Sequence, residues 1–137
     1  MSQPELGFNN DLLIVNPRRQ NGLILYKRNH AEFAGPGSAV RGAFDRDCLQ
    51  ELPVGNFSLL SVQSVDERKR AYSIRIQWIR LIRTITDKPV PIQRAEMLLN
   101  QFEGFFDAQT IAKLPDEALA LLVGVLPQTI TMARRIR

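Results

Sequence analysis

A single glycine separates two helix-start signals in the last 24 residues of the chain, LPDEALALLVGVLPQTITMARRIR. Pro115 followed by two acids is typical of a first helical turn, because proline needs no amide partner there and acids complement the helix dipole. Gly124 stands where a left-handed backbone ends a helix, and Pro127 can start the next one. The pattern predicts two short helices joined by a tight turn, a helix-turn-helix over about 114–137.

Residue sizes within this segment agree with such a motif. Ala120 is small where the second helix must cross the first, and apolar residues fill the angle between the helices: Leu119, Val123, Val125 and Ile130. The remaining side chains of the second helix are expected to face outward. These predicted DNA-binding residues are Gln128, Thr129, Thr131, Met132, Arg134, Arg135 and Arg137.

Each of these side chains suits a particular contact if the second helix enters a major groove. Gln128 could make two hydrogen bonds to adenine, and the Thr131 methyl or Met132 could touch a thymine methyl. The three arginines would meet phosphates, and Thr129 could do so with its hydroxyl or its amide. The alternative is a small helical bundle in which the glycine turn only joins two packed helices.

A longer apolar stripe precedes this segment. Apolar residues recur at spacings of three and four between Ala71 and Ile85, which predicts a helix over 66–86. Five residues of the stripe are predicted to form a homodimer interface: Ile74, Trp78, Leu81, Ile82 and Ile85. Arginines fall largely off the stripe: Arg68, Arg70, Arg75, Arg80 and Arg83. Two prolines then end the helix, and a second helix is expected over about 92–106.

Short apolar runs separated by turn residues characterise residues 1–65. Residues 12–15 and 23–26 resemble two strands, and Asn21-Gly22 between them is suited to a tight turn, so a β-hairpin is expected. Strands are also expected over 39–44 and 57–65, with a loop over 52–56. The predicted fold is therefore α+β, with a small β-rich region (1–65) before a helical region (66–137).

The C-terminal segment resembles the helix-turn-helix of the cyclic-AMP receptor protein/FNR family of bacterial transcription regulators. The shared residues are Leu119, Ala120, Gly124, Val125, Thr129, Ile130 and Thr131. Residues 93–106 look like the helix that precedes the motif in that family, and residues 66–86 are similar to its dimerisation helix. The resemblance implies a homodimeric regulator that binds double-stranded DNA.

Several family features are missing from this chain. Pro127 and Met132 stand where the family usually has base-reading arginines, and no β-hairpin wing is expected after Arg137. The N-terminal region is too short for the nucleotide-binding barrel, and residues 39–43 match its phosphate cassette only faintly. Neither the guanine contacts nor a cyclic-nucleotide site is therefore carried over.

The charge distribution is uneven. The net charge is +4, and the excess lies within residues 66–99, where eight Lys/Arg face four Asp/Glu. Contact with a phosphate backbone and a merely solvated basic face both explain this excess. A protein-interaction module, or a subunit of a larger complex with a helix-turn-helix-like fold, is the alternative function.

Enzymatic and metal-dependent functions find no support in the residue inventory. The chain has one cysteine, Cys48, and one histidine, His30, and it carries no nucleotide-binding or hydrolase motif. We expect no cofactor and no catalysis. With no long apolar run and no secretory signal in the sequence, we expect a cytoplasmic protein that does not span a membrane.

Overall fold

The computed structural model describes residues 12–136. Within this range two small sheets of short strands precede a set of helices, which confirms the predicted α+β class. The strands are β1 (Leu13–Val15), β2 (Asn21–Tyr26), β3 (Ala31–Ala34), β4 (Ala39–Val40), β5 (Gln50–Gly55) and β6 (Leu59–Ser61), with a 3-10 turn over Gly42–Asp45. The helices are α1 (Val65–Thr86), α2 (Pro91–Glu103), α3 (Ala108–Ala112), α4 (Asp116–Val123) and α5 (Pro127–Ile136).

Both sheets are three-stranded and antiparallel. The first has the order β4-β1-β6, with Leu13 opposite Val40, and the second has the order β3-β2-β5, with Ile24 opposite Phe33. The expected β1–β2 hairpin is wrong, because these strands belong to different sheets. Asn21, predicted to lie in a turn, is buried at the start of β2, where its amide donates to the carbonyls of Asn16 and Arg19.

Other strand boundaries also differ from the sequence prediction. Residues 52–56, expected to form a loop, lie mostly in β5, an edge strand where Pro53 can leave one side of the ladder without a donor. Strand β3 was not predicted. The expected strand over 39–44 shortens to β4 before the 3-10 turn, and the strand over 57–65 shortens to β6.

The sheets and the helices share one apolar core. Ile24, Phe33 and Val54 of the second sheet pack with buried residues from all five helices. The ring of Phe33 is central to this core, with centroid distances of 4.9 Å to Phe102 and 5.2 Å to Trp78. The β-rich and helical regions are therefore joined by packing as well as by the chain.

A buried ion cluster fixes α1 against the sheets. Arg75 is fully buried and donates to both carboxylate oxygens of Asp45, at 2.9 and 3.0 Å, and to Glu32 at 2.7 Å. Lys27 lies 3.2 Å from Asp45. Burial by itself raises the pKa of Asp45, but the hydrogen bonds and charge of Arg75 outweigh it, so the pKa is lowered overall. Arg75 was expected off the apolar stripe and instead belongs to the interior.

Candidate nucleic-acid interface

The C-terminal segment forms the expected helix-turn-helix. The axes of α4 and α5 are bent by 105°, within the range typical of the motif, and three residues connect the helices. Gly124 ends α4 in the left-handed conformation, at φ 68° and ψ 42°, which costs a glycine little. The amide of Val125 donates to the Ala120 carbonyl at 3.1 Å and closes the turn.

Apolar packing holds the angle between these helices. Leu119, Val123 and Ile130 are fully buried between α4, α5 and the rest of the core, as their sequence positions predicted. Ala120 and Ala133 are also buried, and their small side chains let the helices approach each other. Close packing of these buried side chains therefore sets the angle between α4 and α5.

Arg94 connects the turn to the preceding helix. Its guanidinium donates to the Gly124 carbonyl at 3.0 Å and to the Lys88 carbonyl at 2.6 Å. Arg83, on α1, lines the same surface cleft as Gly124. Two cationic side chains, Arg83 and Arg94, are thus associated with the corner of the motif, although the formal charges of the helices α4 and α5 themselves sum to zero.

Two of the predicted DNA-binding residues are engaged inside the fold. The Thr131 hydroxyl donates to Asp116 at 2.5 Å, and Arg134 donates to the other oxygen of Asp116 at 2.7 Å. Arg134 also donates to the carbonyls of Ile111 and Leu114 at the end of α3. The expectation that Thr131 and Arg134 face outward is therefore corrected: the Asp116 carboxylate accepts from both, and carbonyls at the end of α3 and just after it accept from Arg134.

The outward face of α5 carries a different set of side chains. Gln128, Met132 and Arg135 are exposed, and their spacing of four and three places them on one side of the helix. Thr129 is half-buried next to them. Within residues 12–136, no ion pair engages Arg135. Arg137, the last predicted contact, lies outside the described residues.

Apolar side chains are also exposed on this motif. Leu126, in the turn, is 68% exposed and Ile136, near the end of α5, is 63% exposed. Leu121 on α4 is 37% exposed and Met132 is 55% exposed. Residues 116–136 thus carry four exposed large apolar side chains, and contact with DNA alone does not explain so many.

The predicted dimer stripe packs mainly within the chain. Ile82 and Ile85 are buried in the core, so they are not available to a second copy. Trp78 packs edge-on to Phe33 and lies 4.9 Å from the Phe105 ring. Ile74 and Leu81 are half-buried. This corrects the assignment of Ile82 and Ile85, because their side of α1 covers the second sheet and α2.

The opposite side of α1 is mostly polar and basic, although Ile76 is exposed there too. Lys69 and Arg80 are exposed on this side, and no ion pair reaches them from the part of the chain that the structure describes. A second copy of α1 laid against this side would bring like charges together, which opposes dimerisation through it.

Neither a metal centre nor a membrane span is found. No group of three His, Cys, Asp or Glu side chains within residues 12–136 could hold a metal ion. No single helix of that range is long and apolar enough to cross a membrane, although α4 and α5 pass the length and composition test as a bent pair. Most of the apolar residues of α4 are buried in the core.

Comparisons with protein-family models, curated proteins and solved structures give no match for this chain. The geometry of residues 12–136 therefore gives the class, an α+β fold that contains a helix-turn-helix. The resemblance to the cyclic-AMP receptor protein/FNR family remains a prediction from the motif residues.

Proposed function

We propose that this protein is a non-enzymatic DNA-binding regulator that inserts α5 into the major groove of double-stranded DNA. The observation that carries the proposal is the outward face of α5, where Gln128, Met132 and Arg135 project from a helix held at 105° to its neighbour. A rigid helix presented in this way is the reading element of helix-turn-helix proteins.

The exposed side chains have distinct roles in this proposal. Gln128, in the first turn of α5, makes a bidentate contact to an adenine, and Met132 contacts a thymine methyl group. Arg135 contacts a phosphate, which supplies affinity without sequence preference. Arg83 and Arg94 add positive charge near the corner, where the backbone of the duplex would pass.

Thr131 and Arg134 act indirectly. Because both are bonded to Asp116, they set the orientation of α5 and do not contact DNA. The proposal also does not depend on two copies meeting through the apolar stripe of α1, since Ile82 and Ile85 are buried.

Selection from a pool of random duplexes tests this function. We expect enrichment of a short motif that contains an A·T pair contacted by Gln128. On the enriched duplex, Gln128→Ala should lose about tenfold in affinity, while on unrelated duplexes it should change little. The matched control is Gln77→Ala, an exposed glutamine on α1.

Arg135→Ala should weaken binding to every duplex by a similar factor, whereas Arg46→Ala, which removes the same charge from an exposed loop position, should not. Selection that enriches no sequence, or equal effects of Gln128→Ala and Gln77→Ala, would contradict sequence reading by α5.

A protein-interaction module is a second candidate function, favoured by the exposed apolar residues of the motif. Leu126 and Ile136 would then meet the apolar surface of a partner protein. Two variants distinguish the two candidate functions. Leu126→Ser should leave duplex affinity unchanged and abolish partner binding, whereas Arg135→Ala should weaken duplex binding and leave partner binding unchanged.

A further inference from the structure

A cleft of about 460 Å³ lies between the second sheet, α1 and the corner of the helix-turn-helix. Its walls are the segment from Asn29 to Phe33, the C-terminal part of α1, and the residues Ala120–Leu122, Gly124 and Val125. The volume falls within the range of small-molecule sites in proteins, which are mostly apolar with a few polar groups.

The interior of the cleft is mostly apolar. Phe33, Ile79, Ile82, Leu121, Leu122 and Val125 line it. Phe33 and Ile82 are held in place by the main core, so this surface keeps its shape. An apolar ligand body placed there would leave water without any change of the fold.

Two formally charged side chains of opposite sign, Glu32 and Arg83, line the cleft. Glu32 is already occupied, because one of its oxygens accepts from Arg75 at 2.7 Å and the other lies 3.2 Å from His30. The α4 side contributes no charged side chain. Arg83 lines the opposite wall, and no ion pair engages it among the described residues. A guanidinium in this state is suited to bind a carboxylate with two parallel hydrogen bonds.

We propose that this cleft binds a small apolar carboxylate, with its acid group on Arg83 and its body against Ile79, Leu121 and Val125. The cleft is formed by the fold of this chain, and ligand binding to it is measured in the absence of DNA. This inference therefore does not rest on the proposed function. A failure of ligand binding and a failure of DNA binding are therefore distinguishable.

The test uses 4-phenylbutyrate as the probe, with its neutral amide and the cation 4-phenylbutylamine as matched compounds. Titration is followed by the backbone amide signals of the full chain in NMR spectra. We expect saturable shifts at Ala31, Phe33 and Gly124 with the carboxylate, about tenfold weaker binding of the amide, and no binding of the amine.

Two variants locate the acid group and the apolar body. Arg83→Gln should weaken the carboxylate about tenfold and leave the amide unchanged, while Arg80→Gln, on the outer face of α1, should change neither. Thr86→Trp fills the exposed rim of the cleft and should weaken both compounds.

Three results would overturn the inference. They are equal affinity for the carboxylate and its amide, equal effects of Arg83→Gln and Arg80→Gln, and the absence of saturable shifts at the cleft residues at any soluble probe concentration.

Discussion

Replacement of Arg75 by methionine should destabilise the protein strongly, because it removes the central cation of the buried ion cluster. Methionine fills much of the space of the arginine stem but donates no hydrogen bonds. Four donated bonds disappear: two to Asp45, one to Glu32 and one to the Ala39 carbonyl. Asp45 then stays buried with Lys27 as its remaining cation.

The magnitude follows from the charge left behind. Breaking a buried ion pair from one side costs about 3–5 kcal/mol, because the partner stays desolvated without its counter-charge. For a chain of this size that loss lowers the melting temperature by roughly 10–20 °C. Arg80→Met, on the exposed outer face of the same helix, should stay within about 0.5 kcal/mol of the wild type.

The pH dependence of the effect has a definite sign. The pKa of Asp45 is lowered in the folded protein, so its contribution to stability is present above the unfolded pKa and is lost as pH falls through the folded value. The difference between the wild type and Arg75→Met should therefore be largest at neutral pH and should narrow in acid.

Urea unfolding followed by circular dichroism measures both variants across this pH range. Adding Asp45→Asn to Arg75→Met should recover part of the loss, because the unpaired carboxylate is gone. A loss no larger than that of Arg80→Met, or a difference that widens as pH falls, would refute this account of the cluster.

Three further predictions concern the helix-turn-helix and α1. Gly124→Ala should lower the free energy of unfolding by about 1–2 kcal/mol, because alanine is strained in a left-handed backbone. Steric overlap does not add to this loss, since the atom nearest to the new Cβ, on Arg94, is 3.9 Å away. Gly124→Asn should cost less, and equal losses for the two variants would contradict the argument. Asp116→Ala should lower the free energy of unfolding by roughly 1 kcal/mol, since Thr131 and Arg134 lose their shared acceptor; the same loss from Glu117→Ala, at an exposed neighbour, would count against it. Trp78→Ala should lower stability by roughly 2–3 kcal/mol and leave the sedimentation coefficient unchanged, because Trp78 packs on Phe33 and Phe105 of its own chain; a dimer that dissociates in this variant would restore the predicted interface.

The helix-turn-helix could be predicted because its determinants are local. Pro115, Gly124 and Pro127 set the local backbone at their own positions. In the structure α4 begins one residue after Pro115 and ends one residue before Gly124, and α5 begins at Pro127. The helix α1 was predictable for the same reason, since Ser64 caps its start by accepting from the Glu67 amide and apolar spacing runs through its length.

Strand pairing could not be predicted in the same way. The first sheet brings β1 against β6, with Ile14 opposite Leu60, and such pairings depend on the whole core more than on the residues near either strand. The sequence of the loop before β2 is typical of a hairpin turn. In the structure the buried Asn21 side chain instead donates to the Asn16 and Arg19 carbonyls of that loop, and β2 pairs in the second sheet.

For two arginines, the sequence can indicate on which side of a helix the residue lies, but it cannot indicate the partner that the side chain binds. Arg75 follows Ala71 by one helical turn and precedes Ile82 by two, so the spacing does place it on the buried side of α1. Its partner Asp45 is 30 residues away, and no sequence feature near either residue predicts that ion pair. Arg134 is likewise held by Asp116, an acid that the sequence assigned only to the helix dipole.

The salt dependence of duplex binding is the most direct measurement of the central claim, that the outward face of α5 binds DNA. We predict that log affinity falls linearly with log salt concentration, and that Arg135→Ala reduces the magnitude of this slope by about one while Arg46→Ala leaves it unchanged. Absence of duplex binding at low salt, or an affinity that does not change with salt, would contradict the claim.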